Sequence, residues 1–180
     1  MEKTIETMVR QLADRQDIQD CLLRYTRGVD RLDRALMLSA YHLDAIDDHG
    51  SVVLGAEKFV DWALDFHTLN QRKHHHAITN LTIELAGDVA HTECYYTYFG
   101  DNREGRSTLA FGRYVDRLEK RDGVWGIVAR QCLTDAVHDL ESTAIPDEYR
   151  AALMANGPNS RNRDDVSYDR PLRVTRAPTG

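Results

Sequence analysis

The sequence predicts an α+β fold, with helices first and then an antiparallel meander that curves under them and encloses a cavity. Three observations carry this. Apolar residues recur at helical spacing as far as Phe66, the spacing changes to strict alternation after Gln71, and Arg121-Asp122-Gly123 marks a tight hairpin, because Asp-Gly tolerates positive backbone angles. Helices that precede strands in this way pack on one face of the sheet.

Asp14 and Asp17 are spaced like a capping pair before Ile18, Leu22, Tyr25, Val29 and Leu32, which recur at helical spacing, so a first helix is expected from there to about Gly28–Asp30. A shorter helix follows Asp33 on Ala35, Leu36, Leu38 and Ala40. Tyr41 to Ala45 then leads into Ile46-Asp47-Asp48-His49, read as a short strand turning at Gly50. A third helix begins after Gly55, with Phe59, Trp62, Ala63 and Phe66 on one stripe. Gln71 to Leu85 opens with three histidines and ends at Ala86-Gly87-Asp88. Residues 89–99, 107–118 and 124–134 continue the sheet, and strand character is lost from Ala136. Pro146 to Met154 reads as a short helix. Residues 1–155 are expected to form one domain, and 156–180 a tail that is extended or packed on a neighbouring subunit.

Composition narrows the function. A chain of 180 residues with 42% hydrophobic and 29% charged side chains has the make-up of an ordinary globule, long enough to bury a core without disulfides or structural metal. A net charge of −6 disfavours nucleic acid as a partner, since counterion release needs a basic face. The sequence has no apolar run of membrane-spanning length, and MEKTIETMVR lacks the apolar core of a secretory signal, so the expected location is cytoplasmic with no membrane partner. Cys21, Cys94 and Cys132 are odd in number and widely spaced, which suits small buried residues better than a disulfide, a zinc site or a nucleophile.

The chemistry is sought first at His74, His75 and His76. Imidazole titrates near neutrality, and alternation puts His74 and His76 on one face with Ile78 while His75 faces the other way, unless the run is merely a solvated strand edge. Asp30 closes the first helix, where the helix dipole disfavours a carboxylate, and a histidine partner would give it a reason to be there. The alternative is a solvated Asp among Arg27, Arg31 and Arg34. Tyr25 lies five residues earlier, off that helical face. Arg130 shares parity with Val124, Val128 and Cys132. If that face is inward, a guanidinium stands in the cavity, whereas if Trp125 and Ile127 mark the inward face, Arg130 belongs to an oligomer interface. Tyr41, His74, Tyr96 and Tyr98 are candidate substrate contacts. Asp47, Asp48 and His49 with His74 and His76 match no defined metal spacing, so no metal is expected.

The ordered pieces IQDCLLRYTRGVDRLD, YHLDAIDDHG, HHHAITN, GDVAHTECYY and DGVWGIVARQ, covering about residues 10 to 140, resemble the SnoaL-like branch of the nuclear transport factor 2-like superfamily. That branch includes scytalone dehydratase, bile-acid dehydratase and hexachlorocyclohexane dehydrochlorinase. The resemblance implies a cone-shaped α+β barrel whose mixed, mostly antiparallel sheet is packed by three N-terminal helices, often in a trimer. It also implies cofactor-free catalysis by an Asp–His pair. By position Asp30 matches the family's helix-end aspartate and His76 its strand histidine. Tyr25 matches a tyrosine of the dehydratase members, and Arg130 the arginine after the Trp-containing hairpin.

The expected function is therefore that of a cofactor-independent, dehydratase-type lyase on a small hydrophobic, aromatic or alicyclic substrate, working as a homo-oligomer, trimer or dimer. His76 would be the base and Asp30 its orienting partner, with Tyr25 and Arg130 stabilising the developing negative charge. The same residues would suit a carbon–carbon lyase releasing formaldehyde from an aromatic diol, or an isomerase or cyclase. From another class, the chain would suit a non-catalytic subunit like the β subunit of ring-hydroxylating dioxygenases.

Overall fold

A computed structural model describes residues 4–141, 143–157, 159–174 and 176–177. Helix α1 runs Ile5–Asp30 and α2 Arg34–Leu38. Strands β1, Tyr41–Asp48, and β2, Val53–Gly55, precede α3, Ala56–Asn70. Four long strands follow: β3 Gln71–Ala86, β4 Val89–Asn102, β5 Ser107–Arg121 and β6 Val124–Leu140. They form one six-stranded sheet in the order β2-β1-β6-β5-β4-β3. Every neighbouring pair is antiparallel except β1 with β6. The fold is thus a mixed α+β fold, a curved, mostly antiparallel sheet with helices packed against it. Ile18, Leu22, Met37, Phe59, Leu118 and Ile127 fill the space between the layers. Among the described residues no helix is long and apolar enough to cross a membrane.

Helix α1 starts earlier than the capping pattern predicts. Thr4 is the cap, accepting the amide of Thr7, and Asp14 sits inside the helix. The Asp14 carboxylate instead accepts Lys120 Nζ at 2.8 Å and Trp125 Nε1 at 2.9 Å. Ile5, Met8, Val9 and Leu12 are exposed, so the opening turns bury no stripe, and burial begins at Ile18. Asp33 caps α2, accepting the amide of Leu36. Gly28 lets α2 lie against α1, since a Cβ there would come within 2.4 Å of the Met37 nitrogen.

The turn at Asp122-Gly123 has both residues at positive φ, 51° and 80°, as a two-residue hairpin requires. Strand β6 runs on past the expected loss of strand character at Ala136, because Phe111 to Ser107 supply paired backbone while most of the side chains there lie exposed, and alternation is lost. Strand β1 likewise opens at Tyr41, and β2 is an additional short edge strand.

Two β-bulges set which way β6 points. Arg117 faces Ala129 while Leu118 faces Ile127, so Val128 is the extra residue. Asp135 is likewise extra between Ala136, paired with Phe111, and Thr134, paired with Gly112. Each bulge resets the alternation. Trp125 and Ile127 therefore share the inner face with Arg130 and Cys132, an arrangement that neither simple parity allows.

Residues 161–168 of the tail lie on this chain's own α1, α3 and β3 and on Asp33. Arg161 donates to the carbonyls of His67 and Gln71, and Arg163 and Tyr168 both reach Asp33 Oδ2 at 3.1 Å. Positions 158, 175 and 178–180 of the expected tail fall outside the described residues. Helix α4, Asp147–Leu153, buries no side chain. A Gly28→Ala variant is expected to lose about 1–3 kcal/mol from overpacking against α2, read as a lower urea midpoint at unchanged slope. An unshifted midpoint would show that the contact relaxes freely.

Candidate active site

A cavity of about 250 Å³ lies between α1, α3 and the inner face of the sheet. Its wall is largely aromatic, with Tyr25, Phe59, Trp62, Tyr96, Tyr98 and Tyr114 around it. Polar groups enter it at few points, and His76 is the one with the most complete support.

Asp30, the last residue of α1, grips His76 twice. Its Oδ1 accepts His76 Nδ1–H at 2.8 Å and its Oδ2 accepts the His76 backbone N–H at 3.0 Å. A carboxylate can only accept, so Nδ1 carries the proton and Nε2 keeps its lone pair, on a ring that lines the cavity. Burial raises the Asp30 pKa to about 6, opposed by the hydrogen bond from the His76 amide. Burial lowers that of His76 to about 3, helped by the positive charge of His49. At neutral pH the pair is thus a carboxylate and a neutral imidazole, the state a general base needs.

His74 and His67 form a separate stack, with ring centres 4.1 Å apart and planes 15° from parallel. His74 Nε2–H donates to the Val29 carbonyl at 3.0 Å, and its Nδ1 accepts Arg161 at 3.0 Å, so both ring nitrogens are occupied inside the protein. His74 does not line the cavity, contrary to its expected part in substrate binding, because these two partners turn its ring behind His67. His67 does line the cavity, its Nδ1 bonded to Gln71 Oε1 at 3.0 Å. Burial lowers His74 to about 4 and His67 to about 2, so both are neutral. His75 is exposed on the opposite face, against Phe99.

Arg130 faces inward, the first of the two orientations the sequence allows, but it does not line the cavity. It is fully buried behind the wall, its Nε and Nη2 forked onto Asp116 at 2.7 and 2.8 Å. The rings of Tyr25 and Tyr114, nearly perpendicular to each other, lie 4.1 and 4.4 Å from the guanidinium carbon. Arg130 does not line this cavity, because Asp116, the carboxylate a buried cation needs, holds it behind the wall. Tyr41 is corrected as well: it accepts Arg130 Nη1 at 3.4 Å and donates to Asp47 Oδ2 at 2.7 Å, outside the lining. Tyr25, Tyr96 and Tyr98 do line the cavity. Tyr96 is bonded to Thr134 at 2.9 Å, whereas the buried Tyr98 hydroxyl has no partner among the described residues.

His49 belongs to the wall and the sequence reading gave it no catalytic part. Its Nδ1 donates to Asp47 Oδ1 at 2.9 Å. Asp-x-His at a strand end places both side chains on one face, and that spacing was the available signal. His67 could have been found from its place one turn after Ala63 on the buried stripe of α3. Among the described residues no three His, Cys, Asp or Glu groups converge to hold a metal ion.

The SnoaL-like domain model matches residues 10–131, and the chain belongs to this family. Among solved structures, a hexachlorocyclohexane dehydrochlorinase, LinA type 2, is 25% identical, with a TM-score of 0.71 over 77% of this chain and 96% of that one. LinA-type3 from Novosphingobium barchaimii LL02 is 25% identical, with a TM-score of 0.68 over 77% and 98%. A candidate scytalone dehydratase from Novosphingobium aromaticivorans DSM 12444 is 17% identical, with a TM-score of 0.66 over 74% and 92%, a likeness of fold alone. No protein with a curated description matches the sequence significantly.

Replacing Arg130 by Met should lower stability by about 3–5 kcal/mol, because Asp116 would be left buried and unpaired. Denaturant unfolding checks this, and unchanged stability would return Arg130 to the list of groups held for chemistry.

Proposed function

We propose that the protein is a cofactor-independent lyase that eliminates water or a related leaving group from a small aromatic or alicyclic substrate. The observation that carries this reading is the Asp30–His76 pair, with the Nε2 lone pair on the wall of an aromatic cavity. His76 takes a proton from carbon. Asp30 holds the tautomer and balances the imidazolium that forms. The SnoaL-like family, with a dehydrochlorinase among its similar structures, supports elimination as the reaction class.

The cavity supports the substrate class. At about 250 Å³ it admits one or two rings, and its tyrosines, phenylalanine and tryptophan offer faces and edges for an aromatic ring to pack on. Tyr98 offers its ring to the substrate, and Tyr25 closes the side nearest Arg130. Tyr95 and Leu133, exposed on the outer face of the sheet, fit a homo-oligomer, dimer or trimer.

Screening aromatic diols and alicyclic alcohols for ultraviolet-absorbing alkene products tests the reading. On a substrate so found, His76→Ala is expected to lower kcat by at least about a hundredfold with the fold intact, and near-full turnover would remove His76 from the mechanism. The free-enzyme profile has a definite sign. Asp30 is ionised above its pKa of about 6, so on the acid side kcat/KM should fall as pH drops through that value and level off between about pH 7 and 8. A profile flat to about pH 4 would contradict the assignment.

A further inference from the structure

A second Asp–His pair reaches the cavity wall through His49, and its histidine is in the opposite protonation state to His76. Asp47 is fully buried, accepting Tyr41 O–H and His49 Nδ1–H. The nearest cation, Arg130, is committed to Asp116 through both prongs of its fork. Arg130 and Asp116 cancel, which leaves the Asp47 carboxylate to be balanced by His49, since Tyr41 supplies a hydrogen bond but no charge. A buried carboxylate without a cation is costly, so the fold holds His49 protonated. Burial by itself works against that proton. The hydrogen bonds to Asp47 and Cys132, with the Asp47 charge, outweigh it and raise His49 to about 9. The titratable groups that face His49 are Asp47 on β1, Asp116 and Tyr114 on β5, Cys132 on β6 and His76 on β3. Helix α3 presents the rings of Phe59 and Trp62 to it, with centroids at 4.9 and 6.2 Å. With Nδ1 held by Asp47, Nε2–H is the proton left to give; the Cys132 sulfur stands beside it, and both side chains line the same cavity as His76.

Resting on the reading of His76 as base, we propose that His49 is a second catalytic group, the acid of the elimination, and that the substrate it selects loses a hydroxyl group rather than a halide. His76 Nε2 takes the proton from carbon, and the C–H electron pair becomes the new carbon–carbon double bond. The C–O bond breaks with its pair on oxygen, which takes the proton from His49 Nε2 and leaves as water. One proton then passes from His76 to His49 through solvent and restores both rings. Hydroxide is a poor leaving group and needs that proton, whereas a halide departs as the anion and gains little from an acid.

Two measurements on the full chain test this. In nitrogen-15 spectra of the labelled protein, with the two signals assigned from His49→Gln and His76→Gln, His49 should be doubly protonated at about pH 7.5 and His76 neutral. Asp47→Asn should remove the His49 proton. A neutral His49 in the wild type would overturn the proposal whatever the substrate. On an alcohol that the wild type dehydrates, His49→Gln should lower kcat by about 10²- to 10⁴-fold with KM changed only a few-fold. Unchanged kcat there, with His76→Ala inactive, would overturn the acid and leave the base standing. Full activity in His76→Ala would overturn the base, and the spectrum of His49 would still report its charge separately.

Discussion

One buried carboxylate organises this molecule. Asp30 ends α1, where the helix dipole opposes its charge, and it is withdrawn from water. Its stability there comes from β3, which offers both the backbone N–H and the ring N–H of a single residue, His76. The helix end and the strand mouth are thereby fixed against each other, and the imidazole has one orientation and one tautomer. A histidine held in this way needs no rearrangement when it accepts a proton, because the charge that must balance it is already in place.

Behind the opposite wall a second group of buried charges has a different consequence. Asp116, Arg130, Tyr41, Asp47 and His49 form a continuous hydrogen-bonded chain from β5 through β6 to β1. Its acids and bases alternate, with the uncharged Tyr41 between Arg130 and Asp47, and its cavity end is the His49 imidazole. Two histidines face one space with opposite protonation at neutral pH, one stripped of its proton by burial and one made to keep it by a buried anion. Environments that push paired groups apart in this way are what acid–base chemistry within one pocket requires.

How far this was legible in the sequence depends on how local each cause is. The switch from helical to alternating periodicity marked the helices and the long strands, and parity alone put His74 and His76 on the inner face. Asp30 drew attention because a carboxylate at a helix C-terminus is unfavourable. That Arg130 faces inward together with Trp125 and Ile127 depends on a bulge at Val128, a property of how two strands register rather than of either one. Its partner Asp116 lies on a different strand and carries no local mark. His74 was drawn out of the cavity by Arg161, from a tail with no periodicity to announce where it lies. His49 was legible in principle, since Asp47-x-His49 shares a strand face, but its charge follows only from the accounting of buried groups around it.

The central claim, that Asp30 and His76 act as one unit, is tested most directly by a double-mutant cycle in kcat/KM on Asp30→Asn and His76→Ala. If the carboxylate acts through the imidazole, the double variant should be no slower than His76→Ala alone, because Asp30 has nothing left to support. Losses that multiply, so that the double variant is slower by the product of the two single effects, would show that the two residues contribute independently and would contradict the account.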